Sequence, residues 1–157
     1  MHQQATHIIR ALTDTRLSMA TAESCTGGMI ADILTDVPGA SSCFKGGAVV
    51  YTRLAKQVLA GIPEAILKEF TEVSVFTTHI LAEKIKDHLK SDVSLAVTGY
   101  LGPTGGTKKT PRGTVYIVGM SDRITICRVL HLKGTRLQNK RRATLEALKM
   151  VKRILND

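Results

Sequence analysis

The sequence has few of the residues that mark single-strand-binding or membrane proteins. Its 157 residues include no tryptophan and 4% aromatic residues, and we find no aromatic stacking motif of the kind that binds single-stranded nucleic acid. No apolar run approaches the roughly 20 residues that cross a bilayer, and the opening stretch has no apolar segment typical of a signal peptide. We therefore expect a cytoplasmic protein without a membrane partner.

Cysteine and histidine are also sparse. Cys25, Cys43 and Cys127 are widely spaced and form no C-x-x-C pair, and the five histidines are scattered with no H-E-x-x-H. The pattern predicts reduced thiols, no disulfide framework and no metal site.

Positive charge is what the chain has in excess. The net charge of +9 and the pI of about 9.8 favour anionic ligands, which include nucleic acid and phosphate-bearing metabolites. A basic helix near the C-terminus is the basis for a nucleic-acid-binding hypothesis, which charge alone supports only weakly.

The order of apolar segments indicates the fold class. Hydrophobic residues make up 43% of a chain of one-domain size, and their spacing predicts the order α-β-α-β-α-α-α-β-β-β-α. We predict one three-layer α/β/α domain over residues 1–157, with a mixed, mostly parallel sheet.

The stretch TAESCTGG, residues 21–28, is predicted to end a strand and turn into a helix. This turn would place Ser24 at the carboxyl end of the sheet, where α/β folds bind ligands, and would expose N–H groups that favour an anion. A helix-capping role for Ser24 or Thr26 explains the same residues. From this geometry alone, Ser24 is the candidate nucleophile.

A second stretch, PGASSCFKGGAVVYTRLAK, covers residues 38–56. Its turn presents Ser41, its strand ends near Tyr51, and Thr52 is predicted to cap a helix that carries Lys56 in its first turn. A lysine base must lose its charge near neutral pH, and only burial or a nearby cation lowers a lysine pKa far enough. Otherwise Lys56 is an ordinary solvated lysine.

Two further stretches are rich in cations and glycines. A loop over residues 99–113 follows Thr98 and carries Lys108, Lys109 and Arg112, and the last helix begins with Arg136, Lys140, Arg141 and Arg142. Both suit a phosphate, and both are equally explained as solvated surface.

Taken together, these motifs resemble the C-terminal domain of the competence/damage-inducible protein family called CinA, whose stand-alone members include nicotinamide-nucleotide amidases. The resemblance rests on AESCTGG, PGAS, F-x-G-G-x-V-x-Y, the lysine of Y-x-x-x-x-K, TG-x-x-GP-x-GG, P-x-GTVY and G-x-R, in that order along the chain.

The resemblance implies a Ser/Lys amidohydrolase that converts nicotinamide mononucleotide to nicotinic acid mononucleotide and ammonia, without metal or cofactor. It assigns Ser41 as nucleophile, Lys56 as proton acceptor and Tyr51 as an orienting residue, with Ser24 shaping the oxyanion site. The choice between the two serines stays open. A homo-oligomer is expected. The implied substrate-binding residues are Thr26, Gly27, Gly28, Thr98, Gly99, Gly102, Arg136 and Arg141.

The sequence departs from the family pattern at several positions. Thr52 replaces an asparagine, Val75 replaces an acid after V-S, and Tyr100 and Leu101 are bulkier than the usual residues. An expected arginine in the last helix is Lys140, with Arg141 beside it. These differences leave the substrate open, and a catalytically silent nucleotide-binding protein of the same fold is the alternative.

Overall fold

The computed structural model describes residues 1–156 as a five-stranded sheet between two layers of helices. The elements are α1 (His2–Thr15), β1 (Met19–Glu23), α2 (Met29–Thr35), a short 3-10 helix (Ala40–Ser42), β2 (Phe44–Val49), α3 (Arg53–Ala60), α4 (Glu64–Phe70), α5 (Val75–Leu89), β3 (Val93–Gly99), β4 (Thr114–Met120), β5 (Thr125–His131) and α6 (Arg136–Asn156). The order of helices and strands expected from the apolar spacing is confirmed.

The sheet is mixed, as predicted, with the strand order β2-β1-β3-β4-β5. Strand β1 pairs in parallel with both β2 and β3, whereas β4 runs antiparallel to β3 and to β5. The carboxyl ends of β2, β1 and β3 therefore meet at one edge of the sheet. That edge is where a doubly covered parallel sheet leaves room for a ligand.

The two faces of the sheet carry side chains of different size. Met19, Leu95 and Val97 point into the core that contains α1, α2 and α6, whereas Ala20 and Ala96 face the side covered by α5. Successive side chains of a strand alternate between faces, so β1 and β3 are buried almost completely on both sides. Helices on both faces produce the three-layer α/β/α fold.

Side-chain caps fix where two helices begin. The Thr52 hydroxyl accepts a hydrogen bond from the Ala55 N–H at the start of α3, and Ser74 caps α5 in the same way. The cap predicted at Thr52 is thereby confirmed. It places Lys56 in the first turn of α3.

Two further features of the described residues are the state of the cysteines and the apolar character of the helices. Cys25, Cys43 and Cys127 form no disulfide. None of the helices within residues 1–156 combines the length and the apolar character that a membrane-spanning segment needs.

Candidate active site

A cavity of about 190 Å³ lies at the sheet edge where the three parallel strands end. Ser24 follows β1 directly, Tyr51 lies two residues beyond β2, and Gly99 is the last residue of β3. The residues that line the cavity are Ser24, Cys25, Tyr51, Lys56, Glu72, Val73, Gly99, Tyr100, Leu101, Thr104 and Arg136. The predicted use of the carboxyl edge of the sheet thus agrees with the position of the cavity.

Lys56 is the side chain that distinguishes this cavity from an ordinary surface cleft. It is 1% exposed, and its Nζ lies 3.2 Å from Ser24 Oγ and donates to the Val50 carbonyl at 3.0 Å. Burial lowers the pKa of Lys56, and the nearby charges of Glu72 and Cys25 act in the opposite direction. Because the charged form is disfavoured, a larger fraction of this amine is neutral at a given pH than of an exposed lysine, and only the neutral amine can accept a proton from a neighbouring hydroxyl.

The start of α2 holds Ser24 in place through a buried carboxylate. The Glu23 carboxylate is 1% exposed and accepts hydrogen bonds from the N–H groups of Gly28, Ile30 and Ala31 at 2.8–3.1 Å. We expected these N–H groups to be free for an anionic ligand, and this expectation is wrong because Glu23 already occupies the anion position. Glu23 also replaces the predicted hydroxyl cap, since neither Ser24 nor Thr26 caps this helix.

A second contact network joins three parts of the chain at the cavity mouth. Arg136 at the start of α6 donates to the Tyr51 hydroxyl at 2.6 Å and to the Gly102 carbonyl at 2.8 Å. The first bond fixes the exposed Tyr51 side chain, and the second ties the glycine loop to α6. Arg136 thus organises the mouth of the cavity as well as giving it positive charge.

The thiol of Cys25 borders the cavity beside Ser24 but is poorly suited to act as a nucleophile. Burial raises the pKa of Cys25 to about 12. A thiol must ionise to attack a carbonyl, so Cys25 stays in its unreactive form at neutral pH.

Ser41 lies far from Lys56, and the structure corrects its assignment as the partner of that lysine. It occupies the exposed 3-10 helix that precedes β2, whereas Lys56 follows the other end of the same strand. A strand of 6 residues separates the two ends, which corresponds to roughly 20 Å. The hydroxyl beside Lys56 is that of Ser24, which follows β1 at the strand-to-helix turn.

Six of the predicted substrate-binding residues do not line the cavity, namely Thr26, Gly27, Gly28, Thr98, Gly102 and Arg141. Thr26 and Thr98 are 0% exposed, and the Thr98 hydroxyl is 2.7 Å from that of Thr78. Arg141 is exposed and does not line the cavity, and Lys140 lies nearer the site, with its Nζ beside Gly27. The predicted direct contacts of Thr26, Thr98 and Arg141 with a substrate are therefore wrong, because these side chains face the core or solvent. Gly28 borders Val49 instead of the cavity.

The cavity also contains residues that the sequence analysis did not assign. Among residues 1–156, Glu72 is the one acidic residue that lines the cavity. Val73, Thr104 and the thiol of Cys25 also line it. Tyr100 and Leu101, noted for their bulk, line it directly. Glu72 directly precedes Val73 and Ser74, and nothing in the sequence pattern distinguishes it from the neighbouring surface acids.

Much of the charge of the last helix is engaged away from the cavity. The Glu146 carboxylate is 4% exposed and pairs with Arg128, Arg142 and Lys149 at 2.7–3.3 Å. The pair with Arg128 joins α6 to β5, whereas the pairs with Arg142 and Lys149 lie within α6. Within residues 1–156, no three His, Cys, Asp or Glu side chains cluster in a way that could hold a metal ion.

Comparisons with known proteins agree with this fold. The family described as "CinA C-terminal domain" matches residues 1–155. A CinA-like protein of Syntrophus aciditrophicus is 46% identical over 92% of the chain, and one of Myxococcus xanthus is 39% identical over 94%. The chain spans about a third of the length of these curated relatives, 34% and 35%.

Solved structures of the family superpose closely on the chain. The competence/damage inducible protein CihA of Agrobacterium tumefaciens has a TM-score of 0.94 at 31% identity, covering 99% of this chain and 95% of that one. A competence or damage-inducible protein of Enterobacter asburiae has a TM-score of 0.92 at 30% identity, covering 98% and 97%. The chain belongs to the CinA C-terminal domain family.

Proposed function

We propose that the protein is a serine amidohydrolase in which Ser24 is the nucleophile and neutral Lys56 is the base, acting on nicotinamide mononucleotide. The observation that carries this proposal is the 3.2 Å contact between Lys56 Nζ and Ser24 Oγ, with the lysine buried and its pKa lowered. A serine hydroxyl is a weak nucleophile until a base within hydrogen-bond reach takes its proton.

In the first half of the reaction, Ser24 becomes acylated. A neutral amine donates one N–H to the Val50 carbonyl and turns its lone pair to Ser24 Oγ. As Oγ attacks the carboxamide carbon, its proton moves to Lys56, and the carbonyl oxygen becomes an oxyanion. The carbon–nitrogen bond then breaks, and Lys56 returns its proton to the leaving nitrogen, which departs as ammonia.

In the second half, water releases the acid. Lys56 takes a proton from water, whose oxygen attacks the ester carbon, and the bond to Ser24 Oγ breaks as Lys56 returns the proton to that oxygen. The products are the carboxylic acid and free enzyme, and one water is consumed for each amide. No charge accumulates on the protein over the full cycle.

Backbone geometry supports stabilisation of the oxyanion next to Ser24. Cys25 follows the nucleophile, and its N–H does not donate to a backbone carbonyl among the described residues. The N–H of the residue after a nucleophilic serine is a recurrent oxyanion donor. Tyr51 and Arg136, linked at 2.6 Å, border the same cavity and would orient the polar end of the substrate.

The substrate assignment rests on the family resemblance and on the shape of the site. A cavity of about 190 Å³ suits a carboxamide-bearing ring, with the rest of a nucleotide extending past Arg136 towards solvent. Arg136 is a cation at the start of a helix, a position that favours a phosphate.

Ammonia release from nicotinamide mononucleotide by the purified chain tests the proposal. We expect turnover by the wild type, its loss in Ser24→Ala, and retention within about twofold in Ser41→Ala, since that hydroxyl lies at the opposite end of β2. Ligand-induced thermal stabilisation without turnover would instead indicate a nucleotide-binding protein that has no amidase activity.

A further inference from the structure

Glu72 is a carboxylate in the cavity for which the hydrolytic mechanism has no use. It lies between α4 and α5 and lines the cavity, with its side chain 40% exposed. Its one ion-pair contact is with Arg53 at 3.8 Å, but Arg53 is bound more closely by Glu64, at 2.8 Å. The charge of Glu72 is therefore only partly neutralised by the protein.

The ring of Tyr100 lies close to this carboxylate. Glu72, Val73 and Tyr100 all line both the cavity and an adjoining groove. The Tyr100 backbone is fixed because its N–H donates to the Thr114 carbonyl at 2.9 Å and its carbonyl accepts from the Gly113 N–H at 2.6 Å. A Cβ added at Gly105 would come within 3.2 Å of the Tyr100 ring, so the glycine packs directly against it.

The position of Glu72 works against the proposed base. The charge of Glu72 raises the pKa of Lys56 and so favours the protonated amine that cannot act. Burial, and secondarily the same carboxylate, raise the pKa of Tyr100, which keeps its hydroxyl neutral. A negative charge beside an aromatic ring is, however, the arrangement that binds an organic cation.

We propose that Glu72 and Tyr100 form a recognition site for a cationic aromatic ring, so that the cavity selects N-alkylated pyridinium amides over uncharged amides of the same shape. This inference rests on the proposed function, because the ring must bind with its carboxamide at Ser24. The cavity is lined by groups of both charges, the Glu72 carboxylate and the Arg136 guanidinium. A pyridinium nucleotide, cationic at the ring and anionic at the phosphate, matches both charges.

Binding to a Ser24→Ala background separates recognition from hydrolysis. Calorimetry would compare nicotinamide mononucleotide with its reduced dihydropyridine form, which has the same amide, ribose and phosphate but an uncharged ring. We expect the cationic ring to bind about tenfold more tightly, a difference that corresponds to 1.4 kcal/mol.

Three further substitutions on that background assign the preference. Glu72→Gln should bring the affinity ratio close to one, since the exposed pair with Arg53 contributes little to folding. Tyr100→Leu should reduce the ratio, whereas Tyr100→Phe should preserve it because the ring remains. Glu69→Gln, which removes an exposed carboxylate of α4, is the matched control and should leave the ratio unchanged.

The possible results distinguish the inference from the proposed function. A ratio that persists in Glu72→Gln, or failure of both nucleotides to bind, would overturn the inference. A Glu72-dependent ratio together with a wild type that releases no ammonia would support the recognition site and refute the amidase. Turnover by the wild type, together with an affinity ratio that Glu72→Gln does not change, would support the amidase and overturn the recognition site.

Discussion

The turns that carry Ser24 and Ser41 lie at opposite ends of the same sheet and differ in what surrounds the hydroxyl. Ser24 is 5% exposed and lies 3.2 Å from a buried amine. Ser41 is exposed on a 3-10 helix of three residues, and the neighbouring groove is lined by the solvated cations Arg16, Lys45 and Lys90. Both turns contain a glycine with positive φ and a serine.

This difference shows that a serine in a glycine turn gains reactivity only from its surroundings. At the Ser24 turn, the Glu23 carboxylate accepts hydrogen bonds from the start of α2, and Ser24 contacts a lysine in the first turn of α3. The turn at Ser41 has neither feature.

The largest contrast is expected between two lysines. Lys56→Arg should lower kcat/KM by at least about 10³-fold, because a guanidinium stays protonated and cannot accept the Ser24 proton. Lys45→Arg, at the Ser41 end, should leave kcat/KM within about twofold. Steady-state ammonia release measures both, and equal losses in the two variants would contradict the assignment of the site.

The pH dependence of kcat/KM should report the ionisation of Lys56. Because burial lowers the pKa of Lys56 below the ordinary 10.5, activity should rise with pH through that lowered pKa and level off above it. Glu72→Gln removes a charge that raises the pKa of Lys56, so its midpoint should move to lower pH. Glu72 and Cys25 are the titratable groups that act on the pKa of Lys56. A midpoint unchanged by Glu72→Gln would indicate that another group controls the rate.

Replacement of the buried carboxylate beneath Ser24 should affect stability. Glu23→Gln keeps the shape but removes the charge and at least one acceptor for the N–H groups of Gly28, Ile30 and Ala31. We expect a loss of about 1–3 kcal/mol in the free energy of unfolding, measured by urea denaturation. Glu83→Gln, an exposed position on α5, is the control and should change it by less than about 0.5 kcal/mol.

The smallest effect is expected at the amino end of the sheet. The hydroxyl and N–H of Ser18 donate to the Asp92 carboxylate at 2.7 Å and hold the pKa of Asp92 below its usual range. Since the folded pKa is lowered, this stabilisation is present above the ordinary aspartate pKa and is lost as the pH falls. Asp92→Asn should therefore destabilise by about 0.5–1.5 kcal/mol at pH 7, with kcat/KM unchanged. A similar loss at pH 3 would contradict this origin.

Local sequence patterns predicted the fold well because the spacing of apolar residues within each segment indicates whether that segment is a helix or a strand. The order of helices and strands and the Thr52 cap depend on residues close in sequence. The placement of Ser24 at a strand-to-helix turn is local in the same sense. These features were confirmed by the structure.

The remaining parts of the site depend on contacts between residues distant in sequence. Ser24 and Lys56 are 32 positions apart, and Arg136 reaches Tyr51 across 85. The family resemblance assigned Ser41 as the nucleophile, whereas the local strand-to-helix geometry favoured Ser24. The role of Glu23 was missed because a carboxylate at the end of β1, several residues before α2 begins, resembles any other acid at the end of a strand.

Identification of the serine that becomes acylated tests the central claim most directly. The wild type would be treated with an electrophilic acylating amide analogue, digested and mapped by mass spectrometry, with Lys56→Ala as the control. We predict one adduct on the peptide that contains Ser24, and none in Lys56→Ala, because the hydroxyl needs the neutral amine beside it. An adduct on the peptide that contains Ser41, or equal labelling of Ser24 without Lys56, would contradict the account.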